Sequence, residues 1–168
     1  MVVFAAAGNE GGNEGVFWPA KLYETGDVIR VNASDSYGNP SGFNPTVGSG
    51  HRICTLGEAV PSCDKDAQKQ TIHRSGTSFA TPIAVAIAAI LLGFMDNTDA
   101  LAVPEDFEAR KRGLRTRSGM EKVLCKTCVL QGEEKRAGFS YITPWFFLGI
   151  EEQSRVGIIT NELRSMPE

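Results

Sequence analysis

The sequence has little of what marks nucleic-acid-binding, secreted or disulfide-stabilised proteins. Its formal net charge of −3 gives the chain no overall positive surface for a phosphate backbone, so we expect no nucleic acid among its partners. The four cysteines in 168 residues do not form the disulfide framework of a small secreted domain. No positively charged segment precedes the apolar residues after Met1, so no signal peptide is visible and an intracellular location is favoured.

Two short stretches of the sequence could still suggest a phosphate or nucleic-acid site. The glycine-rich stretch 8–15 lacks the Lys-Ser/Thr pair of a phosphate-binding loop, and its two glutamates would repel a phosphate. The basic run 110–117 is typical of a solvated helix end followed by a loop, and contact with an acidic partner is the alternative. Neither stretch therefore defines a phosphate or nucleic-acid site.

The longest apolar run, residues 79–95, contains no charged side chain. It is at the short limit for a bilayer span, it contains Pro82, and no basic flank is placed to set a topology. We therefore expect no membrane contact and predict a fully buried helix. Pro82 is expected in the first turn of that helix, where a missing N–H does little harm.

The remaining pattern predicts an α/β domain with a mostly parallel sheet and helices on both faces. Apolar runs between turn signals predict three strands, and helical signals predict three helices. The strands are expected over residues 2–7, 27–33 and 52–56, and the helices over 77–95, 104–112 and from Ser118 to about 132. Residues 71–74 are expected to lead, in a strand-like conformation, into the first of these helices. Ser118 and Glu121 have the spacing of a capping box, and Gly113 is expected just beyond the second helix. Residues 151–168 are predicted to be a polar, partly loose tail.

A serine stands at the junction between a small-residue turn and the long helix. Residues 75–82 have the sequence Ser-Gly-Thr-Ser-Phe-Ala-Thr-Pro, and the apolar run follows directly. This arrangement exposes the hydroxyl of Ser78 and directs backbone N–H groups and the positive helix end towards it. A nucleophilic serine needs such surroundings, because the carbonyl that it attacks becomes an oxyanion.

An asparagine follows the first predicted strand. Residues 2–8 have the sequence Val-Val-Phe-Ala-Ala-Ala-Gly, and Asn9 comes next. A buried strand would deliver Asn9 to the carboxyl edge of the sheet, where the sites of α/β proteins usually lie. By itself such an asparagine is more often a turn former than a functional group.

Both segments resemble motifs of the subtilisin-like serine proteases, the subtilases. In that family Gly-Thr-Ser precedes a hydrophobic residue, a small residue and proline, and Ala-Ala-Gly-Asn forms the oxyanion strand. The resemblance covers about residues 2–95 and implies that Ser78 is the nucleophile. It also implies that the Asn9 side chain and the Ser78 backbone N–H bind the oxyanion. Ala6, Ala7 and Gly8 would line one wall of the primary specificity pocket, and the substrate would be a protein or peptide.

The sequence departs from the family in one important respect. Subtilases present their triad in the order Asp, His, Ser, and both partners would precede the oxyanion strand, which here begins at residue 2. His51 and His73 lack the family's His-Gly-Thr motif. We therefore expect residues 1–150 to be the C-terminal portion of a subtilase catalytic domain whose N-terminal part is missing. The alternative is a catalytically inactive fragment that acts as an interaction or structural module.

Two further positions differ from the family motif, and the sequence offers few candidate metal ligands. The family's histidine after the motif proline is replaced by Ile83, and the small glycine a few residues later is replaced by Ala86. We expect no cofactor; many subtilases bind structural calcium, but no carboxylate cluster identifies a site here. Cys125 and Cys128 form a C-x-x-C within a predicted helix, which favours ordinary helix cysteines and leaves a disulfide or a metal site as alternatives.

Overall fold

The computed structural model describes residues 1–46, 50–63, 71–98, 101–129 and 138–164. The strands are β1 (Phe4–Ala6), β2 (Ile29–Ser34), β3 (Ile53–Leu56), β4 (Val60–Cys63), β5 (Thr71–Arg74) and β6 (Ser140–Tyr141). The α-helices are α1 (Thr77–Asp96), α2 (Phe107–Leu114), α3 (Arg117–Thr127), α4 (Trp145–Leu148) and α5 (Glu152–Arg164). Two short 3-10 helices span Gly11–Asn13 and Ala20–Glu24.

Four strands form a parallel sheet in the order β1-β2-β3-β6. Successive side chains of β2 point to opposite faces. Val31 and Ala33 pack against α1, whereas Arg30 stacks its guanidinium 3.7 Å from the centre of the Tyr23 ring in the second 3-10 helix. Burial lowers the pKa of Arg30. The predicted α/β class with a mostly parallel sheet and helices is confirmed.

The long helix α1 lies across the sheet and contacts β1, β2 and β3. Its length and mean hydropathy of 2.1 also suit a membrane span, a property that core helices share, and 33% of that segment is buried. The sequence predicted full burial, but only one face is covered: Ala84, Ile87 and Leu91 are buried, whereas Val85 and Ile90 are 44% and 41% exposed. A helix that is apolar all round carries no periodic signal for its outer face, so this error could not be seen in the sequence.

Pro82 also differs from its predicted position. The helix begins at Thr77, so Pro82 is the sixth helical residue and lies in the second turn. A proline there cannot donate to the carbonyl of the residue four positions earlier, which is Ser78. The Ser78 carbonyl in the first turn of α1 therefore lacks its usual helical donor four residues further on.

The segment 71–74, which was expected to lead into the helix in a strand-like conformation, is the strand β5, and it is not part of the parallel sheet. It pairs with β4 in a separate antiparallel hairpin, with Val60 opposite Arg74 and Cys63 opposite Thr71. The sequence did not predict β4, because Pro61 interrupts a segment with little apolar character. The hairpin ends at Arg74, immediately before the serine turn of residues 75–78.

Two helix boundaries differ from the sequence prediction. Gly113 lies within the last turn of α2, and α3 is capped by Thr116, whose Oγ1 accepts a hydrogen bond of 3.1 Å from the Gly119 N–H. Ser118 is therefore a helical residue and not the cap. A Cβ added to Gly119 would collide with the carbonyl of Gly113, so the close approach of α2 and α3 fixes the boundary. The helix α3 ends at Thr127, and the predicted end near 132 lies outside the described residues.

The C-terminal segment that was predicted to be a partly loose tail contains α5. Its residues Val156, Ile159 and Leu163 belong to the main apolar core, and Thr160 is buried beside them. Arg110 of α2 donates a hydrogen bond of 3.0 Å to the Thr160 carbonyl, so part of the basic run contacts protein and not solvent. Residues 165–168 lie outside the described part of the chain.

Candidate active site

The turn before α1 depends on a glycine. Gly76 has φ +152°, a conformation that side chains rarely adopt, and its N–H donates to the Gly57 carbonyl at 2.8 Å. Thr77 and Ser78 then become the first two helical residues. The side chain of Ser78 is exposed, and its backbone N–H belongs to the first turn, where N–H groups have no partner within the helix.

Asn9 lies beside this turn. Its Oδ1 accepts hydrogen bonds from the Thr77 N–H at 2.8 Å and from the Thr77 hydroxyl at 3.1 Å. The amide Nδ2 is then the free end of the side chain, with no acceptor among the described residues. The backbone that begins the helix therefore orients the amide of Asn9.

The Ser78 hydroxyl and the Asn9 amide border the same small volume. A Cβ added to Gly76 would lie 3.2 Å from Ser78 Oγ and 3.3 Å from Asn9 Nδ2. Both groups are on the exposed surface, so solvent or a ligand can reach them. Two residues that are far apart in sequence thus place a hydroxyl and an amide donor on either side of one glycine.

Two further contacts support the turn from below. The Gly8 N–H donates to Thr77 Oγ1 at 3.2 Å, which ties the end of β1 to the start of α1. A Cβ added to Gly57 would lie 2.6 Å from the Ala33 Cβ and 3.1 Å from the Gly76 carbonyl oxygen. The turn after β3 therefore packs directly under the serine turn, and only a glycine fits there.

The three residues predicted to line a pocket wall differ in exposure. Ala7 has no exposed surface, whereas Ala6 and Gly8 are half-buried, so only Ala6 and Gly8 present surface that a ligand could contact. Phe17 covers Gly8: its N–H donates to the Ala7 carbonyl at 3.1 Å, and its ring fills the position of a Cβ on Gly8. Sequence reasoning missed Thr77, Gly57 and Phe17, because their roles come from contacts between distant segments.

No described residue offers a base to Ser78. Within the described ranges the Ser78 Oγ has no hydrogen-bond partner, and His51 and His73 are both exposed. Asp35 is engaged in its own turn, where it accepts from the N–H groups of Tyr37 and Asn39. Asp64 and Asp66 lie outside the described residues.

The cysteines are all free, so the disulfide alternative for Cys125 and Cys128 is not formed. Burial raises the pKa of Cys54 to about 12 and also raises that of Cys128, which makes both thiols poor nucleophiles and poor ligands. In the part of the chain that the structure describes, no three His, Cys, Asp or Glu side chains cluster as a metal site would require.

Comparisons with known proteins identify the class. The model of the subtilase family matches residues 1–138, so the chain belongs to the subtilase family of serine proteases. A subtilisin-like protease of Podospora anserina is 30% identical over 130 residues, which are 74% of this chain and 35% of that protein.

Solved structures agree with this fold. The prenylagaramide maturation protease PagA superimposes with a TM-score of 0.59 at 22% identity, covering 97% of this chain and 50% of its own. The PatG macrocyclase domain gives a TM-score of 0.60 at 20% identity, covering 99% and 44%. The chain thus spans about half the length of these structures and about a third of the curated relative.

Proposed function

We propose that this chain is the nucleophile-bearing portion of a serine endopeptidase. The observation that carries the proposal is the shared volume between Ser78 Oγ and Asn9 Nδ2, each about 3 Å from one point beside Gly76. Ser78 would attack the scissile carbonyl of a protein or peptide substrate. The carbonyl oxygen would gain negative charge within reach of the Asn9 amide and the Ser78 N–H.

The environment of the turn supports oxyanion binding. Asn9 Oδ1 is held by Thr77, so the amide hydrogens face away from the backbone without further reorganisation. The positive end of α1 adds a favourable field for an anion at the same place. Preorganised donors of this kind typically contribute about 10²–10³ in turnover each.

The proton of Ser78 requires a base that the described residues do not supply. We propose that a histidine and an aspartate come from a further part of the same domain, N-terminal to this chain. Two exposed features favour such a part: β1 pairs with β2 on one edge only, and α1 leaves Val85 and Ile90 exposed. Between them lies an apolar groove of about 500 Å³, lined by residues 1–4 and by Val85, Ala89 and Leu92.

The second candidate is an inactive module that keeps the family fold. The absence of a base for Ser78 among the described residues favours this candidate, because a serine hydroxyl alone is a weak nucleophile. In that case the open face of α1 would serve as a binding surface, and Ser78 would have no chemical role.

The test compares this chain with the complete gene product. We expect the coding sequence upstream of Met1 to encode, in frame, an aspartate and a histidine segment of the subtilase type. The complete protein should cleave peptides and react with a fluorophosphonate probe at Ser78. Ser78→Ala should lower turnover on the order of 10⁴-fold or more without changing the unfolding midpoint.

The matched control is Ser154→Ala, an exposed serine on α5 that should leave turnover unchanged. This chain alone should be inactive and unlabelled. A stop codon upstream, or an inactive and unlabelled complete protein, would favour the inactive module, whereas full activity of the Ser78→Ala variant would rule Ser78 out as the nucleophile.

A further inference from the structure

The turn after β3 contains a residue in an unfavourable backbone conformation. Among the described residues, Ala59 is the one non-glycine residue with a positive φ, at +51°. A residue with a Cβ is disfavoured in this left-handed region, because the Cβ comes too close to the following carbonyl oxygen. Ala59 is exposed, so burial of its methyl group does not hold it there. Contacts of its backbone must therefore fix this conformation.

The side chain of Ser75 makes one such contact. Its Oγ accepts a hydrogen bond of 3.0 Å from the Ala59 N–H. On one side of this bond lies the first residue pair of the hairpin formed by β4 and β5. On the other side, the Gly57 carbonyl accepts from the Gly76 N–H at 2.8 Å. Of these contacts between the turn after β3 and the turn before α1, only the bond to Ser75 is made by a side chain, so it can be removed by substitution.

The same contacts lead to the candidate nucleophile. A Cβ added to Gly57 would lie 3.1 Å from the Gly76 carbonyl oxygen, so the two turns are packed closely and a displacement of one is passed on to the other. A Cβ added to Gly76 would lie 3.2 Å from Ser78 Oγ and 3.3 Å from Asn9 Nδ2. A movement of Gly76 therefore changes the space that these two groups share.

We propose that Ser75 is a positioning residue, whose hydroxyl holds Ala59 in the left-handed conformation and so fixes the turn beside Ser78. The inference rests on the proposed function, since it concerns the reactivity of Ser78. Without the hydroxyl, Ala59 loses a contact that offsets its unfavourable φ, and the turn relaxes towards an ordinary conformation. The Gly57 carbonyl then moves, and Gly76 moves with it.

The experiment compares the wild-type complete gene product with Ser75→Ala, Ala59→Gly and the double variant. A misplacement of 1 Å costs about 10²-fold in rate, so the smaller shift expected in Ser75→Ala should lower kcat by about 5- to 10-fold and leave KM within about 2-fold. The rate of fluorophosphonate labelling at Ser78 should fall by a similar factor. Active-site titration corrects kcat for the folded fraction, so that a loss of stability is not counted as a loss of activity.

The double variant tests the mechanism of the effect. Glycine adopts a positive φ without steric cost, so Ala59→Gly removes the need for the Ser75 hydroxyl. Ala59→Gly alone should leave kcat within about 2-fold of the wild-type value, and in the Ser75→Ala background it should restore kcat to within about 3-fold. A serine that merely stabilised the fold would change the unfolding midpoint and leave kcat per folded molecule unchanged.

The matched control is Ser62→Ala. Ser62 lies on β4 of the same hairpin, where it is paired with Ile72. It is two residues further along the strand than Val60, at the end of the hairpin that adjoins the turn. This substitution should leave kcat, KM and the labelling rate unchanged, which separates the contact with Ala59 from a general effect of serine loss in the hairpin.

The outcomes separate the two proposals. Wild-type rates of cleavage and labelling in Ser75→Ala would overturn the role of Ser75 alone, and so would a double variant in which Ala59→Gly restores nothing. In both cases the protein remains a serine protease. Absence of both cleavage and labelling in the wild-type complete protein would overturn the proposed function, and the role of Ser75 with it.

Discussion

The two ends of α1 are built in different ways. The N-terminal end is held by hydrogen bonds from distant segments: Asn9 binds Thr77, Gly8 binds Thr77, and Gly57 binds Gly76. The C-terminal end is held by apolar packing, where Leu91 and Met95 belong to the same cluster as side chains of α2, α3 and α5. One end fixes the positions of polar atoms, and the other end supplies much of the buried apolar area.

The difference determines what each end tolerates. Apolar cores accept changes in side-chain shape when volume is kept, although each lost methylene group costs stability. Hydrogen bonds and close contacts at glycine have narrow geometric limits, so a small shift there moves Ser78 or Asn9 directly. Substitutions at the first end should therefore act on activity, and substitutions at the second end on stability.

Among substitutions outside the two reacting side chains, the largest effect on turnover is expected from Gly76→Ala. The new Cβ would lie 3.2 Å from Ser78 Oγ and 3.3 Å from Asn9 Nδ2, and φ +152° is strained for alanine. We expect turnover of the complete protein to fall about 10²-fold, while stability falls by about 1–3 kcal/mol. Steady-state kinetics and chemical unfolding measure the two quantities.

Gly93→Ala is the control at the other end of the same helix. Gly93 has no heavy atom within 4 Å of an added Cβ, so this substitution should leave activity unchanged. It should stabilise the protein by about 0.5–1 kcal/mol, the usual gain of alanine over glycine within a helix. Equal losses of turnover in the two variants would contradict the proposed division between the ends.

The largest loss of stability is expected from Leu91→Ala. Leu91 is 1% exposed in the main cluster, and its truncation should lower the free energy of unfolding by about 2–5 kcal/mol. Turnover per folded molecule should not change, because Leu91 lies far along α1 from Ser78. Urea unfolding and active-site titration distinguish these two results.

The adjacent Ile90→Ala sharpens the comparison. Ile90 is 41% exposed, so in this chain alone its truncation should lower the free energy of unfolding by no more than about 0.5 kcal/mol. In the complete protein the cost should be larger, because the proposed N-terminal part would cover that face. An equal, small cost in both proteins would count against that covering.

The smallest effect is a pH dependence at Glu121. Burial raises the pKa of this carboxyl, and the opposing charges of Arg117, His51 and Arg30 offset only part of the increase. A raised folded-state pKa contributes stability below the ordinary value of 4.5 and loses it as the pH rises through the folded-state value. The wild-type protein should therefore lose stability relative to Glu121→Gln as the pH rises from about 4.5.

Thermal unfolding of both proteins between pH 4 and pH 8 measures this difference. Glu108→Gln provides the exposed control on α2 and should follow the wild-type profile. A wild-type protein that gains stability over Glu121→Gln with rising pH would show that the 3.0 Å ion pair with Arg117 outweighs burial.

Much of the fold follows from the sequence because local patterns decide it. The strands β1, β2 and β3 and the helix α1 occur where apolar runs and turn signals predict them. The hairpin partner β4 and the cap of α3 do not, since Thr116 and Ser118 are both acceptable caps and only the contact of Gly119 with Gly113 selects one. The exposed face of α1 could not be predicted, because no local signal distinguishes its two sides.

The site divides in the same way. Ser78 and Asn9 each lie in a short segment with its own sequence signature, so both could be named from the sequence. Their convergence depends on Thr77, Gly57 and Gly76, whose contacts exist only once β1, β3 and α1 have packed together. The Phe17 ring on Gly8 likewise belongs to the packed protein and not to any local motif.

The hydrogen bond between Asn9 and Thr77 joins residues that are 68 positions apart in the chain. The intervening segment must close into one large loop before that bond can form, and the entropy of loop closure makes such contacts slow to appear. A partly folded chain that already contains α1 therefore still lacks the aligned amide beside Ser78. The hydroxyl and the amide that are proposed to act together are therefore brought side by side only when β1 and α1 have packed against each other.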